Sequence, residues 1–182
     1  AYQRGSKADS ALYVRSLDGT KMDSLPAVTD FGFAMKSNVL YFVKSESDKN
    51  DKEALVSLHT LVPEKGKSLL FEGKGVLKKM AFDENGSKLA FLYCAHKDST
   101  FKGYSLYVSE KMEKARLIAD KKNNAFPAGW VLSENESLQF SRNSSRLFFG
   151  TSPEPKQKDT TVLAENRPNV HIWNWDEDTQ YT

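Results

Sequence analysis

The sequence predicts an all-β fold, on three observations. Apolar residues recur at period two, as in Leu12 and Val14 or Leu89, Phe91 and Tyr93, and no segment keeps a 3.6-residue period over three turns. Polar turn signals, Asp18-Gly19, Asn85-Gly86 and Asn143-Ser144-Ser145, each stand between such alternating runs, which is the arrangement of tight hairpins. Third, the pattern repeats itself along the chain.

The strongest hairpin, Met80-Ala81-Phe82-Asp83-Glu84-Asn85-Gly86-Ser87-Lys88-Leu89-Ala90-Phe91, overlays Leu138-Gln139-Phe140-Ser141-Arg142-Asn143-Ser144-Ser145-Arg146-Leu147-Phe148-Phe149 without a gap. A weaker copy aligns Phe33 with Phe82 and Leu40 with Leu89, so Phe82 and Phe140 are expected to be equivalent buried anchors of an inner strand. A further strand follows each hairpin, at Leu55 to Leu58, at Leu106-Tyr107-Val108 and at Val170 to Trp173. Ala11 to Leu17 reads as the same element of an earlier, truncated copy. Fourth strands follow in two copies, around Leu69-Leu70-Phe71 and Leu117-Ile118-Ala119.

A repeat of roughly fifty residues with four short strands is what radial stacking of blades produces, whereas a sandwich has no such self-similarity. The expected architecture is therefore a partial, open β-propeller of about four blades of four-stranded antiparallel sheet, a single unit over residues 1–182. The blades fall at roughly residues 11–31, 32–75, 76–126 and 134–182. The chain begins inside one blade and stops inside another, so its exposed strand edges are expected to be covered by other chain or to pair edge to edge in a dimer.

Composition narrows the function classes. A chain of 182 residues can bury a substantial core. Its 26 basic and 24 acidic residues are interspersed and leave a net charge of +2, with no block that could neutralise a run of phosphates, so nucleic acid is not an expected partner. The longest apolar stretches, such as Leu89 to Cys94, are too short to span a bilayer, and no membrane segment is expected. Cys94 is the single cysteine and sits in an apolar run, which makes it a core thiol and excludes an intrachain disulfide.

Several segments imitate chemical motifs and fail on spacing. Gly66-Lys67-Ser68 suggests a phosphate loop, but Leu61 stands where the first glycine belongs and no helix pattern follows, so a hairpin turn is expected. Asp48-Lys49-Asn50-Asp51-Lys52-Glu53 has calcium-loop acidity, yet Lys52 occupies a ligand position and no glycine follows. His59, His96 and His171 lie in different repeats with no partner at metal-ligand spacing, so neither metal nor cofactor is expected. Gly-x-Ser-x-Gly is absent, and no catalytic residue is expected in this chain. Asn85-Gly86-Ser87, Asn135-Glu136-Ser137 and Asn143-Ser144-Ser145 fit the glycosylation sequon, but the first and last coincide with turns that favour Asn for its backbone. Trp130, Trp173 and Trp175 could form a ligand platform, the last two sharing one strand face, although strand aromatics of this kind chiefly pack between sheets. No residue is assigned a binding role on the sequence alone.

The run Leu138-Gln139-Phe140-Ser141, Arg146-Leu147-Phe148-Phe149-Gly150-Thr151, Pro153 to Pro155, Lys158-Asp159-Thr160-Thr161 and Val170-His171-Ile172-Trp173-Asn174-Trp175 resembles the propeller region of prolyl-oligopeptidase-like serine peptidases, especially the secreted or periplasmic type of Bacteroidetes. The rest of the chain resembles that family only in blade pattern, which TolB-like and WD-like propellers share. The resemblance implies a propeller that screens peptide substrates for an α/β-hydrolase domain elsewhere in the parent polypeptide, and a periplasmic or secreted setting. In some members a pair of propeller carboxylates holds the substrate's amino terminus. The pairs available here, Asp176 with Asp178 and Glu134 with Glu136, match no motif of that kind and are not assigned the role.

Overall fold

Alternating side chains on a strand point to opposite faces, so a strand that is apolar at both parities must be covered on both sides. Leu40 to Val43 and Leu89 to Leu92 are such runs, and the structure, a computed structural model, buries them from two directions. It describes residues 2–4 (backbone only), 11–46, 54–63, 65–95, 103–122 and 126–154. Among these residues every regular element is a strand.

The strands form antiparallel sheets in chain order. A three-stranded sheet contains β1 (Tyr2–Arg4), β2 (Ala11–Arg15) and β3 (Met22–Pro26). A four-stranded sheet follows, with β4 (Val28–Phe33), β5 (Leu40–Glu46), β6 (Leu55–Val62) and β7 (Gly66–Lys74) in that order. A second four-stranded sheet repeats the arrangement with β8 (Val76–Phe82), β9 (Lys88–Cys94), β10 (Ser105–Glu110) and β11 (Arg116–Ala119). The last region holds two short pairs, β12 (Trp130–Leu132) with β15 (Thr151–Pro153) and β13 (Gln139–Phe140) with β14 (Leu147–Phe148).

Three cores lie between successive sheets. Leu12 and Leu25 of the first sheet meet Leu40, Phe42 and Leu61 of the second. The other face of β5, with Tyr41 and Val43, meets Leu89 and Phe91 of β9. Ala90, Leu92 and Cys94 then turn away from that core to meet Leu132, Leu147 and Phe149. Phe42 and Phe91 are 1% and 0% exposed, and burying a side chain of this size contributes about 1.5–3 kcal/mol. The molecule is thus a face-to-face stack in which each central strand divides its side chains between the preceding and the following sheet.

The hairpin overlay survives in the register: Phe33 lies opposite Leu40, Phe82 opposite Leu89 and Phe140 opposite Leu147. Several expectations need correction. The first sheet has three strands, because Tyr2–Arg4 pairs with Ala11–Tyr13. Val28 to Phe31 belong to the second sheet, ahead of the boundary drawn at residue 32, since fully buried Val28 closes the core beneath Leu40. The last region starts at Trp130, ahead of residue 134, and its described part comprises two strand pairs. Phe82 and Phe140 are half-buried, because both rings border a cavity on one side.

Candidate functional site

Four six-residue turns share one hydrogen-bonding scheme. In Ser16–Lys21, Ala34–Val39, Asp83–Lys88 and Ser141–Arg146 the first N–H donates to the sixth carbonyl, at 3.0, 3.0, 3.0 and 2.9 Å. In three of them a side-chain oxygen of the first residue accepts the sixth N–H: Ser16 Oγ at 3.0 Å, Asp83 Oδ1 at 2.9 Å and Ser141 Oγ at 2.9 Å. This is why Ser and Asp recur at that position, where a short polar side chain satisfies a backbone donor that the hairpin leaves over.

The turns of the second, third and fourth copies are joined to one another. Lys36 N–H donates to the Glu84 carbonyl at 3.1 Å, and the Lys36 ammonium lies 2.6 Å from Glu84 Oε1. Gly86, at φ 71°, lies close against the second turn, where an added Cβ would stand 2.8 Å from Ala34 Cβ. On the other side the Ser144 hydroxyl donates to Asp83 Oδ2 at 2.8 Å, and Lys88 Nζ donates to the Ser144 carbonyl at 2.9 Å. Burial alone would push the Asp83 carboxyl up, but the donors from Lys88, Ser87 and Ser144 outweigh it and hold the group below its ordinary value.

Beside these joined turns lies a cavity of about 420 Å³. Its apolar wall contains Phe33, Phe82 and Phe140, the same register position of three hairpins, together with Met35 and Leu138. Phe33 is 55% and Met35 91% exposed, so the wall is open to solvent. Asp83, Glu84 and Arg142 supply its charge. The second turn position carries Leu17, Met35, Glu84 and Arg142 in the four copies, so the rim passes from apolar to charged along the stack. A pocket of this size, with an apolar wall facing a polar and charged one, has the character of a small-ligand or peptide side-chain site.

The residues weighed on sequence fall elsewhere. Glu134 accepts the Tyr104 hydroxyl and pairs with Lys78, both at 2.7 Å, which ties the last region to the third sheet. Burial and the bond to Glu134 raise the Tyr104 hydroxyl well above its ordinary value, so it stays a donor. Glu136 is exposed, its side chain over Gly150. Trp130 is 38% exposed on β12 and borders a separate cavity of about 350 Å³ with Phe126 and the Lys121–Glu154 pair. His59 stacks on Phe42 at 5.0 Å, and its Nε2 is 3.0 Å from Ser57 Oγ. Burial, then Lys44, favour its neutral form against the opposing pull of Glu72. Ser57 and His59 lie two apart on one strand, with no carboxylate hydrogen-bonded to the ring among the described residues, and so lack the orienting group of a hydrolytic constellation. Cys94 is buried. The loop Asp48 to Glu53, His96, His171, Trp173, Trp175, Asp176 and Asp178 lie outside the described residues.

Sequence reasoning missed Phe33, Met35 and Arg142 as neighbours of one cavity. The signal was present in the overlay, which makes the three phenylalanines equivalent, but equivalence in a repeat points to a common site only once the copies are known to stack with their turns side by side. No family model, no curated protein and no solved structure matches this chain.

Proposed function

We propose that this chain is an open part of a β-propeller and that it serves as the substrate-screening portion of a prolyl-oligopeptidase-like serine peptidase. In this reading it contacts peptide substrates for an α/β-hydrolase domain of the same parent polypeptide and contributes no catalytic group, metal or cofactor. The observation that carries it is the face-to-face stack of repeated antiparallel sheets, with three hairpins in one register and their turns gathered beside one cavity. Stacked repeats of this kind suit a propeller. The family resemblance of residues 138–175 supplies the peptidase context. In this reading an open propeller pairs edge to edge with a second copy when isolated, which sedimentation velocity would detect as a dimer.

A second reading is a TolB-like binding module for a protein or glycan with no enzyme attached. It is favoured by the cavity itself, which sets exposed Phe33 and Met35 beside charged Arg142. The two part on one experiment. Under the peptidase reading, the polypeptide extended past Thr182 contains Gly-x-Ser-x-Gly, reacts with a fluorophosphonate probe and cleaves prolyl or alanyl chromogenic peptides, whereas residues 1–182 alone do neither. An extended protein that is inert to the probe would leave the binding module as the better account.

A further inference from the structure

The charged groups around the 420 Å³ cavity are not equally available. Asp83 has both oxygens engaged, Oδ1 by the Lys88 N–H and Oδ2 by the Ser87 and Ser144 hydroxyls, each at 2.8 or 2.9 Å. The Glu84 carboxylate is held by Lys36 at 2.6 Å. Arg142 makes no ion pair with any described residue and acts on Glu84 only through space. Lys36 and Glu84 cancel, and Asp83, ionised but saturated by neutral donors, balances Arg142 in net charge. The Arg142 guanidinium is nevertheless the one ionic group of the lining without a direct partner among the described residues, beside a wall of exposed Phe33 and Met35 and half-buried Phe82 and Phe140.

We infer that this cavity binds the carboxyl-terminal residue of a peptide whose last side chain is large and apolar. The side chain rests against the three phenylalanine rings, and the terminal carboxylate takes the Arg142 fork. Three arguments select this ligand. A concave site that sets apolar rings beside a few converging polar groups has the character of a recognition site, and the volume suits one or two residues. A guanidinium pairs with a carboxylate through two parallel hydrogen bonds, and this geometry rewards a terminal carboxylate over an amide. A peptide amino terminus would need a free carboxylate, and both candidates are already engaged. The inference deepens the recognition role proposed above and rests on it, but its test needs no hydrolase domain.

The test uses the chain of residues 1–182 with two probes, N-acetyl-glycyl-phenylalanine and its C-terminal amide, titrated by NMR or calorimetry. The free acid is expected to bind roughly tenfold more tightly than the amide, the loss that follows when a charge-assisted pair is removed. Arg142→Gln should bring the acid down to the level of the amide with the circular dichroism spectrum and unfolding midpoint unchanged, since the side chain is exposed and bonds to no other described residue. Arg142→Lys should restore part of the preference. Met35→Ser, on an exposed turn, should weaken acid and amide by the same factor. Equal binding of acid and amide, an acid preference that survives Arg142→Gln, or no binding of either probe at millimolar concentration would each overturn the inference. None of these results bears on probe labelling of the extended polypeptide, so failure here and failure of the peptidase reading remain distinguishable.

Discussion

The third sheet and the last region start from nearly the same hairpin sequence and end in different structures. In the third sheet β8 and β9 run as one continuous ladder, interrupted once where Lys78 pairs with Leu92 and Ala81 with Ala90. In the last region the corresponding ladder is cut in two, since Leu132 pairs with Thr151 and Gln139 with Phe148, leaving residues 133–138 to face only 149 and 150. The second sheet has its own irregularity between Val28 and Asp30. All three copies therefore bulge in the first strand, and only the last enlarges the bulge into a loop. That loop carries Glu134 to Lys78, beside the bulge of the third sheet, and to Tyr104. The turn is a local structure that its own six residues specify. The enlarged bulge of the last region is a tertiary structure, since Glu134 finds its partners in the neighbouring sheet.

The largest expected effect breaks the comparison at equivalent core sites. Phe91 is fully buried between two sheets, whereas its counterpart Phe149 is half-buried at the side of the last region. Phe91→Ala should cost about 3–5 kcal/mol and Phe149→Ala about 1–2 kcal/mol in urea titrations. Equal costs would mean that the two copies are packed alike.

At the turns the same contrast is smaller. Gly86→Ala places a Cβ in a left-handed backbone and against Ala34, for an expected loss of about 1–3 kcal/mol. Ser144→Ala, at the corresponding position, removes one hydroxyl donor to Asp83 and should cost about 1 kcal/mol. A larger loss for Ser144→Ala than for Gly86→Ala in thermal unfolding would show that the Asp83 bonds, and not close approach, hold the turns together.

The enlarged bulge predicts a difference between two glutamates. Glu134→Gln should cost about 1–2 kcal/mol through the bonds from Tyr104 and Lys78, while exposed Glu136→Gln should stay within about 0.5 kcal/mol. A double-mutant cycle of Glu134→Gln with Tyr104→Phe should show coupling, and additive losses would contradict the link.

The smallest effect is electrostatic. Asp83 is held below its ordinary value of 3.8 in the folded chain, so its contribution is complete above that value and is lost as pH falls through the lower folded value. Unfolding midpoints of the unsubstituted chain should therefore decline more steeply on acidification than those of Asp83→Asn. Parallel declines would assign the acid sensitivity to other carboxylates.

Much of the fold was legible because it is local. The turns read from Asp18-Gly19, Asn85-Gly86 and Asn143-Ser144-Ser145 are present, and the strands read at Leu55 to Leu58, Leu106 to Val108, Leu69 to Phe71 and Leu117 to Ala119 lie within β6, β10, β7 and β11. The starts of β4 and β12 were missed. Val28 is preceded by Ala27 at φ 58°, a left-handed residue that propensity does not announce, and Trp130 is separated from its hairpin by the bulge.

Alternation, turn chemistry and the gapless overlay of Phe82 on Phe140 were determined by the sequence alone, because each depends on residues close together in the chain, where backbone geometry dictates which side chains share a face. Only the tertiary structure decided which face met which neighbour, that Glu134 would reach Tyr104 and Lys78, and that three phenylalanines and Arg142 would surround one cavity. Those contacts join residues from different repeats, and they form only when whole sheet faces withdraw from water together, a requirement of area and shape that no short stretch of sequence expresses.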